Sequence, residues 1–133
     1  MDYLRTSMDA DLQEELIARY PLIFQERGMP MSETAMCWGI TCGNGWFHLL
    51  DALCAQLQSE TSRDGAPQVI ATQVKEKYGT LRFYARITND RQDAMIDLAE
   101  ELSGRICETC GAPGKLLLNG WVMTRCASHS PAA

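Results

Sequence analysis

Three cysteines and a histidine near the C-terminus are spaced as two chelating pairs, Cys107-x2-Cys110 and Cys126-x2-His129, separated by fifteen residues. A two-residue spacer lets both side chains of a pair converge on one ion, and two such pairs complete a tetrahedron. Thiolate sulfur with imidazole nitrogen suits zinc; iron is the weaker candidate, because a histidine is in the set and no other redox signature accompanies it. Gly111 directly after Cys110 fits a tight knuckle, and Pro113-Gly114 turns the chain into a hairpin that returns Cys126. The pattern is that of a zinc ribbon or treble clef. With all four positions filled by protein side chains, no coordination site is left for water or substrate, so the spacing predicts one structural Zn2+ without a catalytic role. The plainer alternative is a pair of buried CxxC-type cysteines and an unrelated histidine; the complete four-ligand pattern, with turn signals between its halves, argues against it.

The remaining cysteines, Cys37, Cys42 and Cys54, and the only other histidine, His48, offer less. Cys37-x4-Cys42 has a metal-compatible spacing but no second chelating pair beside it. Buried core thiols are the better reading and a second metal site the lesser one. His48 and Cys54 lie six apart on one expected helix and point in different directions, which argues against a Cys/His nucleophile pair. His48 and Asp51, at i and i+3, can face each other. A surface hydrogen bond is the plainer account; an acid–base pair at the centre of a small enzyme is the other. No Gly-rich phosphate loop, nucleophile elbow or deaminase-type HxE…PCxxC pattern is present. No catalytic residue is assigned, and a non-enzymatic protein is expected.

Hydrophobic periodicity outlines the elements that must carry these residues. Asp9 caps a helix with Leu12, Leu16, Ile17 and Tyr20 at helical spacing, ended by Tyr20-Pro21. Residues 28–44, with Gly28, Pro30, Gly39 and Gly43, read as a long loop. A second helix, capped by Asn44, runs from about Gly45 to Ser59 and buries Trp46, Leu49, Leu50, Leu53, Cys54 and Leu57; Glu60 to Pro67 is a polar linker. Two strands, Gln68 to Lys77 and Leu81 to Thr88, meet in a hairpin around Tyr78-Gly79-Thr80. Asn89 or Asp90 caps a third helix with Ala94, Met95, Leu98, Ala99 and Leu102 on its buried stripe. A short strand pair, Lys115 to Leu118 and Trp121 to Arg125, follows around Asn119-Gly120. The class is α+β: three helices on a small antiparallel hairpin sheet, with residues 1–103 as the core and 104–133 as a zinc-binding segment packed on it.

At 133 residues and 46% hydrophobic content, one domain with a real core is expected. The opening residues lack a signal-peptide pattern and no stretch reaches the length of a membrane span, so a cytoplasmic protein without a membrane partner is expected. A net charge of −5 disfavours nucleic acid. The charge is uneven, however: residues 67–88 carry +3 and residues 104–133 carry +2. If Ile70, Thr72 and Val74 face inward, Gln73, Lys75 and Lys77 face outward, joined by Arg82, Tyr84 and Arg86 of the second strand. That is either a solvated sheet face or a basic patch around an exposed aromatic. Such a patch suits phosphate and base contacts, an acidic protein partner, or a second copy of the chain. Trp38, in the long loop, is the other candidate for an interaction surface.

The runs Cys42-Gly43-Asn44-Gly45-Trp46-Phe47 and Gln73-Val74-Lys75-Glu76-Lys77-Tyr78-Gly79-Thr80-Leu81-Arg82-Phe83-Tyr84, together with Cys107-x2-Cys110-Gly111-x-Pro113-Gly114, Gly120-Trp121 and Cys126-x2-His129, resemble a family of small proteins from bacteriophages, prophages and bacterial genomes. The resemblance covers most of residues 20–129 and brings no catalytic or binding residue with it. It implies a phage or mobile-element setting inside a bacterial host cell. By analogy with small acidic proteins of that setting, the expectation is a non-enzymatic zinc protein that works by protein–protein contact, as a modulator or inhibitor of a host machine such as a defence system. The alternatives are a nucleic-acid-binding accessory protein using the basic hairpin and zinc ribbon, and a small enzyme centred on His48 and Asp51.

Overall fold

The computed structural model describes residues 7–131 and has the expected α+β class. Three helices, α1 (Ala10–Arg19), α2 (Phe47–Asp64) and α3 (Asp90–Ser103), accompany a sheet of β1 (Ile40–Thr41), β2 (Ile70–Lys77) and β3 (Thr80–Arg86); β4 (Lys115–Leu117) and β5 (Met123–Arg125) form a separate antiparallel pair. One apolar cluster joins Leu16 of α1, Ile23 and Phe24 of the turns after it, Leu50 and Leu57 of α2, and Val74 and Leu81 of the sheet. Burial of this kind, near 25 cal/mol per Å2 of apolar surface, is what offsets the entropy of ordering the chain.

The sheet is mixed rather than purely antiparallel. The stretch read as loop contains a helical turn (Ala35–Trp38), capped by Thr34, whose hydroxyl accepts the Met36 N–H at 3.2 Å. It also contains β1, which pairs parallel to β2 with Ile40 opposite Val74. Two residues of alternating pattern are too few to read as a strand. Nor does Asn44 cap α2: a helical turn over Asn44–Trp46 leads into it. The Asn44 side chain instead accepts the Asp9 N–H at 2.8 Å, tethering the start of α1, where the Asp9 side chain makes no capping bond. The expected polar linker is mostly helix, because α2 continues to Asp64 and stops at left-handed Gly65 (φ 71°). Glu60, inside that extension, is buried and ion-paired with Arg91 of α3 at 2.7 Å.

Two faces also differ from expectation. An irregularity between Ala71 and Gln73 shifts the alternation of β2, so Ala71 and Val74 are fully buried while Ile70 and Thr72 are not. Helix α3 keeps the Asn89 cap, completed by Gln92 as a capping box, but buries Gln92, Ile96, Ala99 and Ser103. Leu98 and Leu102, predicted inside, are 60% and 39% exposed. The reason is polar. Helix α3 lies along β3, where the Ser103 hydroxyl accepts the Leu81 N–H and Glu100 accepts the Phe83 N–H, both at 2.8 Å. Those donors point away from β2 and need partners. Buried Gln92 donates to the Pro67 carbonyl at 2.9 Å.

Candidate metal centre

The knuckle that carries Cys107 and Cys110 is closed by two main-chain bonds of 2.8 Å, from the Gly111 N–H to the Cys107 carbonyl and from the Cys107 N–H to the Ala112 carbonyl. Gly111 sits at φ 83°, a conformation a side chain would strain. Strands β4 and β5, with Leu116 opposite Thr124, then bring Cys126 back. A helical turn over Ala127–His129 aims His129 at the same point. All four predicted ligands meet: Sγ of Cys107, Cys110 and Cys126 and Nδ1 or Nε2 of His129 lie within 4.8 Å of one another. The Cys110 and Cys126 sulfurs are 3.7 Å apart, Cys107 Sγ is 3.9 Å from His129 Nδ1, and Cys126 Sγ is 3.2 Å from it. The sulfurs are far outside the roughly 2.05 Å of a disulfide. The arrangement is compatible with a metal site.

The electrostatics favour thiolate at the innermost ligand. Burial alone would push the Cys107 thiol up, but N–H groups of Cys126, Cys110 and Thr109, with the Cys126 side chain, bring it down to about 6. Backbone N–H groups aimed at sulfur are the usual environment of a metal-bound thiolate. Cys107 is fully buried, whereas Cys110 and His129 are exposed, so the cluster sits at the surface with its root in the core.

That root is a set of residues the ligand pattern did not reveal. The Gly45 N–H donates to the Glu108 carbonyl at 2.7 Å, and the Trp46 indole N–H donates to the Ile106 carbonyl at 2.9 Å. The Gly43 N–H donates to the Glu108 carboxylate at 2.8 Å. A Cβ at Gly45 would overlap the Cys107 carbonyl oxygen, and one at Gly43 would stand 2.9 Å from Glu108 Cγ. The Gly43-Asn44-Gly45-Trp46 run is therefore a cradle against which the knuckle lies backbone to backbone. Glu108 itself is 2% exposed and pairs at 3.1 Å with buried Arg125, the last residue of β5. Burial raises its pKa, and the Gly43 N–H and Arg125 oppose that rise without cancelling it. Across the other face, the buried Thr124 hydroxyl donates to the Gly79 carbonyl at 2.7 Å, fixing the β4–β5 hairpin to the β2–β3 turn.

The other candidate residues are dispersed. Among the described residues, Cys37, Cys42, Cys54 and His48 form no second metal-ligating group. Cys42 and Cys54 are fully buried, and burial raises both thiols. Asp51 does not bond His48; it accepts the Tyr20 hydroxyl at 2.6 Å and pairs with Arg19 at 3.0 Å. The hairpin face is split. Arg86 is paired with Glu26 at 2.8 Å, and Arg82 lines a cleft with Asp97, Glu100 and Glu101 of α3. Lys75 is half-buried, whereas Lys77, Tyr84 and Trp38 stand exposed. No helix of the described residues is long and apolar enough to cross a membrane.

What the fold and the site define is thus a small α+β chain carrying a C-terminal Cys3His cluster compatible with a metal ion. Compared with protein-family models, with curated proteins and with solved structures, the chain matches none.

Proposed function

We propose that this is a non-enzymatic zinc protein whose single ion is structural and whose work is done by contact with a protein partner. One observation carries the reading: the four ligands form a closed set whose knuckle is bonded through its backbone to Gly43, Gly45 and Trp46 of the core. A tetrahedron with zinc–sulfur bonds of about 2.3 Å has sulfur–sulfur edges of about 3.8 Å, close to the observed 3.7 Å between Cys110 and Cys126. A sulfur–nitrogen edge is about 3.6 Å, and the two observed ones, 3.2 Å from Cys126 and 3.9 Å from Cys107 to His129, fall on either side of it. The four side chains would fill the coordination sphere and leave no position for substrate.

The partner reading is supported by an unpartnered apolar seam between α2 and α3. Leu49, Leu53, Met95, Leu98 and Leu102 line it, and Asp97 and Glu101 are exposed on the same α3 helix. An apolar seam on a helix of net negative charge suits a basic amphipathic helix of another protein. The phage and prophage setting implied by the sequence motifs agrees with a modulator of a host machine. Elemental analysis is the test of the metal: about one zinc per chain, lost in Cys107→Ser and Cys126→Ser and kept in Cys37→Ser. The partner is tested with both proteins purified. Leu98→Asp weakens the complex at least about tenfold at unchanged zinc content; an affinity unmoved by that change refutes the surface.

A further inference from the structure

Two exposed aromatic rings share one cleft on the side where the zinc hairpin meets the sheet. Tyr78, at the β2–β3 turn, is 71% exposed, and Trp121, in the β4–β5 loop, is 58% exposed. Both line a cleft of about 430 Å3 together with Lys75, Glu76, Lys77, Gly120 and Val122. Among the described residues neither ring stacks on another, while Lys77 Nζ stands 5.7 Å from the Tyr78 ring centroid. Neither lysine is held in an ion pair among the described residues. Glu76, the acid between them, is turned to the Gly79 N–H at 2.7 Å.

The cleft is built rather than incidental. Its two walls are locked by the Thr124–Gly79 bond, and they approach so closely at Gly79 that a Cβ there would stand 2.5 Å from Leu116 Cδ1. Tyr78 has φ 52°, a left-handed conformation that asparagine or glycine adopts with less strain than a tyrosine. The two-residue turn between Lys77 and Thr80 requires positive φ at both of its positions, and here one of them carries a large ring exposed to solvent. The cleft also lies in the two segments of positive net charge, residues 67–88 and 104–133, of an otherwise acidic chain.

We propose that this cleft binds a short stretch of single-stranded nucleic acid, with bases stacked on Tyr78 and Trp121 and phosphates at Lys75 and Lys77. Every base offers a π-face to an aromatic platform, and paired lysines track the backbone between stacked bases. An acidic peptide would satisfy the lysines but leave both rings unused. The acidic remainder of the protein, above all α3, repels a longer polyanion and confines the site to a few nucleotides. The cleft shares no residue with the α2–α3 seam, so this proposal and the protein-partner reading stand or fall separately.

The test uses the full zinc-loaded chain carrying Trp38→Phe, which leaves Trp121 as the one exposed tryptophan, since Trp46 is fully buried. Oligothymidylate of about eight nucleotides, within the usual range for single-strand binders, is titrated at low salt while tryptophan fluorescence is followed. Saturable quenching is expected, lost steeply as salt is raised. By anisotropy of the labelled oligonucleotide, Trp121→Ala and the double change Lys75→Gln/Lys77→Gln each weaken binding about tenfold or more. Tyr78→Asn relieves the left-handed residue, so it keeps or raises thermal stability while weakening binding; this separates a lost site from a lost fold. Absence of quenching at low salt overturns the proposal. So does binding unaffected by Trp121→Ala, or an aspartate peptide of equal charge that competes as well as the oligonucleotide.

Discussion

Replacing Gly45 with alanine tests whether the Cys107–Cys110 knuckle and the core are one structure. The added Cβ would overlap the Cys107 carbonyl oxygen and stand 2.6 Å from the carbonyl carbon and oxygen of Glu108. These are main-chain atoms of the knuckle, so no side chain can rotate away; either the knuckle retreats from its cradle or the start of α2 shifts. Overpacking of this kind costs about 1–3 kcal/mol, and a backbone clash falls at the upper end. With an unfolding entropy of about 2.1 cal/mol/K per residue, the 133 residues give about 0.28 kcal/mol/K, so about 3 kcal/mol lowers Tm by about 11 °C. Metal affinity falls with it, because holding the ion and folding the knuckle are linked. Gly28→Ala is the control, since nothing lies within 4 Å of a Cβ there; it stays within about 0.5 kcal/mol of the parent. Calorimetry and zinc competition with a chromophoric chelator read both effects. A Gly45→Ala protein that melts within about 2 °C of the parent and holds zinc equally well would show that the knuckle does not rest on this cradle.

Burial of Ile96 against exposure of Leu98 predicts that Ile96→Ala costs about 2–4 kcal/mol in urea denaturation while Leu98→Ala costs under about 0.5. The reverse order would restore the stripe expected from sequence. Burial, and then the hydrogen bond to Asp51, raise Tyr20 from its ordinary 10.0 to about 12. The fold therefore holds the neutral phenol: its contribution is complete below about pH 10 and is lost as pH rises from there toward about 12. Tyr20→Phe should flatten that part of the stability–pH curve measured by urea midpoints, and an unchanged slope would contradict it. Thr124→Val removes the hydroxyl bonded to the Gly79 carbonyl and should cost about 1–2 kcal/mol, with faster hydrogen exchange in the β4–β5 hairpin. Equal exchange rates would show that the hairpin is held elsewhere.

The Cys3His cluster was legible because its chemistry is local: two short chelating pairs with turn residues between them predict convergence whatever the rest of the chain does. The cradle was not, although its residues are conspicuous. Gly43 and Gly45 look like loop punctuation until the carbonyls of Cys107 and Glu108 are placed against them, and a long-range backbone approach leaves no periodic signal. Helix α3 misled for a related reason. Its most apolar stripe, with Leu98 and Leu102, reads from the sequence as the inner face, but Gln92, Glu100 and Ser103 are needed by the Pro67 carbonyl and the outward N–H groups of β3. Hydrogen-bond demand set the helix rotation, and hydrophobic periodicity cannot see it. Arg86 leaves the basic hairpin face for a similar reason, because Glu26, far away in sequence, claims it. Strand β1 was hidden by its two-residue length and parallel pairing.

Zinc-edge X-ray absorption on the purified chain reads the ligand set of the Cys3His cluster itself. About one zinc per chain is expected, with three sulfurs at about 2.3 Å and one nitrogen at about 2.0–2.1 Å. A chain that is folded without metal, or an ion coordinated by water oxygen in place of any of Cys107, Cys110, Cys126 or His129, would contradict it.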